Sequence, residues 1–241
     1  FWVWLFHMEH EIRQNIPIFY YNIWDDWPAP QYNENFYESC DLIMNISKQT
    51  VAIVKEVAKK KPRTDWDCTY IPHGIHEDYY KPVTNEKEIT EMNAMRKQLT
   101  DDNIEFIVFY NNRNIRRKLP GDIIMAYKHF CDQLPKEQAD KCCLLMHTQP
   151  RDQNGTDLPV VAKTIAPDYK VYFSENKLSV VQLNYLYNIA DVTINMASNE
   201  GFGLGTCESI MAGTPIIVNV TGGLQDQCGF KLNGEFVTYK D

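Results

Sequence analysis

The sequence predicts an α/β protein made of doubly wound parallel sheets in two sections. Short apolar runs bounded by turn residues alternate with helical patterns, which is the signature of βαβ units. A glycine-rich stretch, 201–205, falls between a predicted strand and a predicted helix, where sheets of this kind bind ligands. In the first section, 16–23 and 41–46 read as strands, 48–59 as a helix and 68–71 as a further strand. Residues 86–99 are polar, with Ile89, Met92, Met95 and Leu99 on one side, and predict a surface or bridging helix docked by one face. The domain boundary is placed there: a first domain over 1–85, a linker helix over 86–102 and a second domain over 103–241. The second domain opens with a strand over 106–110 and a loop over 111–119. Pro120, suited to a first helical turn, then starts a helix with Ile123, Tyr127, Phe130 and Leu134 on one stripe. Next come a strand over 143–147, a polar loop around Asn154 and a strand over 170–173. A helix over 179–189, a strand over 191–196, a helix over 204–212 and a strand over 215–220 complete the pattern.

The bulk properties narrow the function. With 241 residues, 44% hydrophobic, the chain can bury one large core or two modest ones. No apolar run approaches the ~18 residues of a membrane span. The opening run 1–6 lacks the features of a signal peptide and reads as a cut strand or helix, so the chain is expected to be a fragment. A net charge of −8 argues against a general nucleic-acid or anionic-membrane binder, so any phosphate site must be local. The seven cysteines show no C-x-x-C pair and no zinc spacing, which predicts reduced core thiols and a cytoplasmic location. Three sequons, at Asn45, Asn154 and Asn219, read as chance without a secretory signal.

The stretch from Ser198 to Glu208 carries the chemistry. Its glycines let backbone approach a ligand, and the N–H groups of Gly203 and Leu204 at a helix start can hold a phosphate. Glu208, a turn into the helix, can accept two hydrogen bonds from a ribose diol. Glu200 lies on the loop before the cradle, so two acids bracket a bound diphosphate, an arrangement that fits a nucleotide sugar. Four cations, Arg113, Arg116, Arg117 and Lys118, crowd the loop after the first strand of the second domain in an otherwise acidic chain.

Glu200-Gly-Phe-Gly-Leu with Glu208, followed by Met211-Ala-Gly-Thr-Pro-Ile-Ile, resembles the E-x7-E signature of retaining GT-B glycosyltransferases, specifically glycosyltransferase family 4. Leu186-Tyr-Asn-Ile-Ala-Asp-Val and Thr221-Gly-Gly are similar to the same family. So are Tyr70-Ile-Pro-His-Gly-Ile and Tyr80-Lys-Pro, which look like the segment leaving the acceptor domain. The resemblance implies a GT-B fold of two Rossmann-like domains, the first incomplete, with both chain ends truncated. It implies a UDP- or GDP-sugar as donor substrate, no further cofactor and no metal. Arg113 and Lys118, with the amides of Gly203 and Leu204, would stabilise the leaving diphosphate. Gly201 and Phe202 complete the donor loop, Glu200 would position the donor sugar, Glu208 would anchor ribose, and Phe173 and Ser174 would lie near the base. Closure of the two sections would exclude water.

Where the family presents a His near the reacting sugar, this chain has Tyr20-Tyr-Asn-Ile-Trp-Asp-Asp-Trp-Pro-Ala-Pro. Asp25 is the candidate for that place. The competing reading is a capped loop with buried Trp24 and Trp27. Residues 8–13 lack a helical i,i+4 His pair and read as a solvated face. Asp65-Trp66-Asp67 has the form of a metal-binding Asp-x-Asp but precedes a strand, and reads as a turn. Three alternatives stay open: a nucleotide-sugar epimerase, a non-catalytic nucleotide-sugar-binding module and, more remotely, an NAD-dependent oxidoreductase, whose fingerprint would need a third Gly at Thr206. The acceptor, whether carbohydrate, lipid or protein, leaves no mark in the sequence.

Overall fold

The computed structural model describes residues 3–59, 63–64 and 67–236. The chain divides into two compact units. One comprises residues up to Gly74, the short segment Asn199–Gly203 and the chain from Val220 onward; the other holds Ile75–Ser198 and Leu204–Asn219.

The first unit is built on a parallel sheet of β1 (Phe19–Asn22), β2 (Leu42–Asn45) and β3 (Cys68–Tyr70), in that order. β1 is shorter than the predicted 16–23. Pro17 has no N–H for the ladder, the amide of Ile18 goes to the Asp41 carboxylate at 2.8 Å, and Ile16 and Ile23 are exposed. The opening segment forms two short helices, Val3–His7 and Glu9–Arg13. The second helix has the solvated face its sequence predicts, and there Arg13 reaches Glu9 at 3.3 Å and Asp41 at 2.7 Å. The Lys48–Val57 helix starts where Ser47 accepts the amide of Thr50 at 3.0 Å. It buries Val54 and Val57 against Ile43, Tyr37 and Cys40. A further helix, Gly222–Cys228, was not predicted, because two glycines in its first turn conceal it. Asp65 and Trp66 of the Asp-x-Asp phrase lie outside the described residues; Asp67 meets Arg63 at 3.5 Å.

The second unit is a five-stranded parallel sheet of β4 (Phe106–Asn111), β5 (Cys142–His147), β6 (Lys170–Ser174), β7 (Val192–Asn195) and β8 (Ile216–Val218). The spatial order is β6-β5-β4-β7-β8. β4 and β5 are continuous apolar runs because both faces are covered. Val108, Tyr110, Leu144 and Met146 face one core with the helices Pro120–Asp132 and Leu158–Ile165. Ile107, Phe109, Cys143 and Leu145 face the other, with Val180–Ile189 and Glu86–Leu99, which docks through Met92, Met95 and Leu99. The Leu158–Ile165 helix was not foreseen; it is short, carries Pro159 in its first turn, and starts where Asp157 accepts the amide of Val160 at 3.2 Å. Cys40, Cys68, Cys131, Cys142 and Cys143 are buried and Cys207 and Cys228 half-buried. Among the described residues, no helix is long and apolar enough to cross a membrane.

Candidate functional site

The order of the second sheet locates its ligand edge. The chain starts at β4, winds outward through β5 and β6, then returns to add β7 and β8 on the other side of β4. The reversal falls between β4 and β7, and the crevice at the carboxyl ends of two such strands is where an open α/β sheet binds ligands. The loop after β4 is the cation-rich 111–119. The loop after β7 includes Ser198, whose amide donates to the carbonyl of Arg117 at 2.8 Å. These two stretches, 81 residues apart, are thus fastened to each other at the switch point.

The cation loop has its own scaffold. Leu119 adopts a left-handed conformation (φ 49°), unusual for a residue with a side chain, and so turns the chain from Arg116–Lys118 into the Pro120 helix. Asn114 is buried and donates to the carbonyls of Gln149 and Pro150, each at 3.2 Å, and of Thr156 at 2.6 Å. That binds the loop after β5 to the loop after β4. Gly155 is needed there, because a Cβ would sit 2.1 Å from the carbonyl oxygen of Asn114. Arg113 is solvent-exposed and grips Asp152 with two nitrogens, Nε to Oδ2 at 2.8 Å and Nη2 to Oδ1 at 3.3 Å. The pair raises the Arg113 pKa and lowers that of Asp152. Lys118 is buried in the turn. Asp152 lies 39 residues from its partner and carries no mark of this role in the sequence.

Glu208 projects from the Leu204–Met211 helix and is half-buried. Its Oε2 accepts from the hydroxyl of Tyr187 at 2.6 Å, and that hydroxyl accepts from Asn111 Nδ2 at 2.7 Å. Tyr187 is fully buried; burial, then the Glu208 charge, drives its pKa far up. Tyr80 is raised in the same way, by burial first and Glu208 second. Phe173 packs on the core beside Met146, its ladder partner. Ser174 is buried at the end of β6, where its carbonyl accepts from His147 Nδ1 at 3.0 Å and its hydroxyl lies 3.1 Å from the same nitrogen.

In the first unit, the segment Asn199–Gly203 rests on the Gly222–Gly223 pair. The Gly223 amide donates to the Glu200 carbonyl at 3.0 Å, and Gly222, at φ 45°, leaves room for it. A Cβ on Gly222 would lie 1.8 Å from that oxygen. Glu200 is buried. Gly203 has φ 89°, and a Cβ there would meet Leu224 at 2.5 Å, so glycine is required. A methyl on Gly201 would make only ordinary contacts, with the Ile23 carbonyl oxygen and the Ile46 side chain, both at 3.5 Å. Gln227 donates to the carbonyl of Phe202. Asn199 donates to the side chain of Asp26 and, at 3.5 Å, to the carbonyl of Asp25, which ties the Asp25 turn to this segment. Trp24 is half-buried, its amide capped by Asn22 at 3.2 Å, but Trp27 is exposed, which corrects the expectation that both are buried. His73 stands with its ring 5.5 Å from Phe202 and 5.6 Å from Tyr21. It is a polar residue beside the Gly201–Gly203 segment, and in the sequence it stands only within the phrase Tyr70-Ile-Pro-His-Gly-Ile.

Comparison with known proteins gives the family. The description "Glycosyl transferases group 1" matches residues 91–241. The chain is 26% identical over 196 residues to an alpha-monoglucosyldiacylglycerol synthase of Acholeplasma laidlawii, covering 79% of this chain and 44% of that protein. It is 27% identical over 108 residues to a trehalose synthase of Pyrococcus horikoshii, covering 44% of this chain and 26% of that one. Among solved structures, Anabaena HepE in complex with UDP and glucose aligns at a TM-score of 0.67 with 16% identity, covering 93% of this chain and 58% of HepE. The N-terminal domain of Candida albicans trehalose-6-phosphate phosphatase aligns at 0.74 with 13% identity, covering 91% and 54%. The chain thus spans about half the length of such relatives, and its two parallel sheets form part of a GT-B fold. With the matched region spanning most of the second unit, the switch-point loops and the glycine-rich segment included, the chain belongs to the group 1 glycosyltransferases.

Proposed function

We propose that the protein transfers a sugar from a nucleoside-diphosphate donor to an acceptor hydroxyl, with retention of anomeric configuration and without a metal, as enzymes of glycosyltransferase family 4 do. The observation that carries this reading is the placement of the cation loop and the Ser198 loop together at the carboxyl ends of β4 and β7. UDP is the favoured nucleotide, because structurally similar proteins carry it: HepE with UDP and glucose, and an Escherichia coli protein with UDP-2-fluoro glucose. The acceptor is a carbohydrate, lipid or protein. We assign 1–85 to an incomplete acceptor-side domain, 86–102 to a linker helix and 103–241 to the nucleotide-sugar domain. A cytoplasmic location belongs to the same reading and rests on the cysteine spacing.

The chemistry asks for stabilisation of charge that grows on the departing diphosphate. Arg113, Lys118 and the amides of Gly203 and Leu204 take that task, the departing phosphate oxygen receives the acceptor proton, and the acceptor oxygen bonds to the anomeric carbon on the face that the phosphate leaves. Glu208 binds ribose, Glu200 orients the donor sugar, Phe173 and Ser174 lie toward the base, and Asp25 faces the acceptor. Arg113 would exchange Asp152 for phosphate oxygens when donor binds. Arg113→Ala and Lys118→Ala are expected to lower kcat by about 10²-fold, as removal of a transition-state donor does. Glu208→Ala is expected to raise the Kd of the nucleotide about tenfold with a smaller effect on kcat. Steady-state kinetics and calorimetry check this, and unchanged values in all three variants would refute the assignment. A glycosylated product with free nucleoside diphosphate supports a transferase; an isomerised donor points to an epimerase, and binding alone to a non-catalytic module.

A further inference from the structure

The second unit contains a hydrogen-bonded chain that none of the roles above uses. It runs from Asn111, the last residue of β4, through the Tyr187 hydroxyl to Glu208 Oε2, at 2.7 and 2.6 Å. A phenol has a single proton, and Asn111 already presents an N–H to the Tyr187 oxygen, so the tyrosine proton is directed at Glu208. One lone pair of Oε2 is thereby committed to the protein, with the Tyr80 hydroxyl hydrogen-bonded to the same carboxylate, and the carboxylate plane is fixed.

The chain is rigid at each link. Tyr187 is fully buried, its ring edge-on to Phe109 at 5.2 Å and to Tyr80 at 6.1 Å, and its backbone carbonyl accepts from Thr214 at 2.6 Å. The space in which the hydroxyl meets Asn111 exists because residue 205 is glycine. A Cβ there would lie 3.2 Å from the Tyr187 oxygen and 3.3 Å from the Asn111 carbonyl, tighter than ordinary packing on two sides. Three residues distant in sequence, 111, 187 and 205, thus converge on the orientation of a fourth.

We propose that Tyr187 and Asn111 are positioning residues that orient Glu208 to accept a ribose diol, with Gly205 as the opening that admits them. The proposal rests on the donor-site reading above. Asn111 ends the strand whose next residues form the cation loop, so the ribose contact and the diphosphate contacts take their geometry from one strand end. Orientation matters because a carboxylate receiving two hydroxyls at once needs both lone-pair directions in the plane of the diol. A tilted Glu208 would still carry its charge yet bind the ribose through one hydroxyl.

The test is the affinity of the full chain, by calorimetry, for UDP and for 2′-deoxy-UDP, or for GDP and 2′-deoxy-GDP where GDP binds the tighter. The native chain is expected to prefer the ribose form by about tenfold. Tyr187→Phe keeps the ring and removes the hydroxyl. It is expected to weaken the ribose nucleotide by roughly three- to tenfold and leave the deoxy form nearly unchanged, so that the preference collapses toward one. Asn111→Ser should act in the same direction, and supplies the second measurement if Tyr187→Phe does not fold. A variant that keeps the native preference, or that loses both nucleotides equally, overturns the positioning role. A native chain without ribose preference, or one that binds neither nucleotide, overturns the donor-site reading itself, an outcome distinct from the first.

Discussion

His147 closes β5 with its Nδ1 on the Ser174 carbonyl, and burial holds its pKa below the ordinary imidazole value, with that hydrogen bond opposing. The folded site therefore resists a proton that the unfolded chain accepts as pH falls through about 6.5. Its contribution to stability is complete above that pH and declines below it, down to the depressed folded value. Replacing His147 with Gln should flatten the fall of Tm on acidification across that window, as thermal melts at a series of pH values would reveal; an unchanged slope would remove His147 from the account. Not every residue of the site could be read in this way from sequence. Glu200, Glu208 and the cations stood out as candidates because their spacing lies within short segments. Asp152 and Tyr187 were not recognised as partners, because what joins them to Arg113 and Glu208 is the meeting of loops and helices 39 and 21 residues away.

At the scale of elements, the strands of the second sheet were readable because burial on both faces leaves an unbroken apolar run, as in Cys142–His147. Helices were readable where an apolar stripe exceeded about three turns, or where the residues at the start did not signal a break, down to the eight residues of Leu204–Met211. Leu158–Ile165 and Gly222–Cys228 were missed, since each is short and opens on residues that ordinarily signal a break. The second of these is also the bed of the Glu200 segment, and that makes its glycines indispensable. Gly222→Ala combines a positive φ with a methyl 1.8 Å from the Glu200 carbonyl oxygen. It should cost at least about 2 kcal/mol in a denaturant titration. Gly201→Ala, whose methyl meets only van der Waals neighbours, should cost less. Equal effects would show that the close approach is not what the glycine provides.

For the whole molecule, the sheet order decides where ligand binding is felt. On the proposed reading, a nucleoside diphosphate at the β4–β7 switch point would bind only the folded chain, so at about 100 times its Kd it should add ~2.7 kcal/mol to stability. A thermal-shift screen of UDP, GDP and ADP should show the largest rise in Tm with UDP. No rise with any of them would count against a nucleotide site in this chain. The parallel sheet itself could be anticipated because alternating strand and helix patterns imply a doubly wound arrangement. What the pattern did not convey is the route of the chain, which changes unit between Gly74 and Ile75, Ser198 and Asn199, Gly203 and Leu204, and Asn219 and Val220.

That route sets a rule for recombining the protein with its relatives. A hybrid joined at one seam after Gly74 would import another protein's version of residues 199–203 and of the stretch that begins at Val220. It would then press them against a native Ile46 and a native Gln49, whose side chain receives the Gly222 amide at 2.9 Å. Grafts that exchange only 75–198 and 204–219 spare those contacts, so specificity should be transplanted in two inserts with the five-residue tongue between them left in its original host.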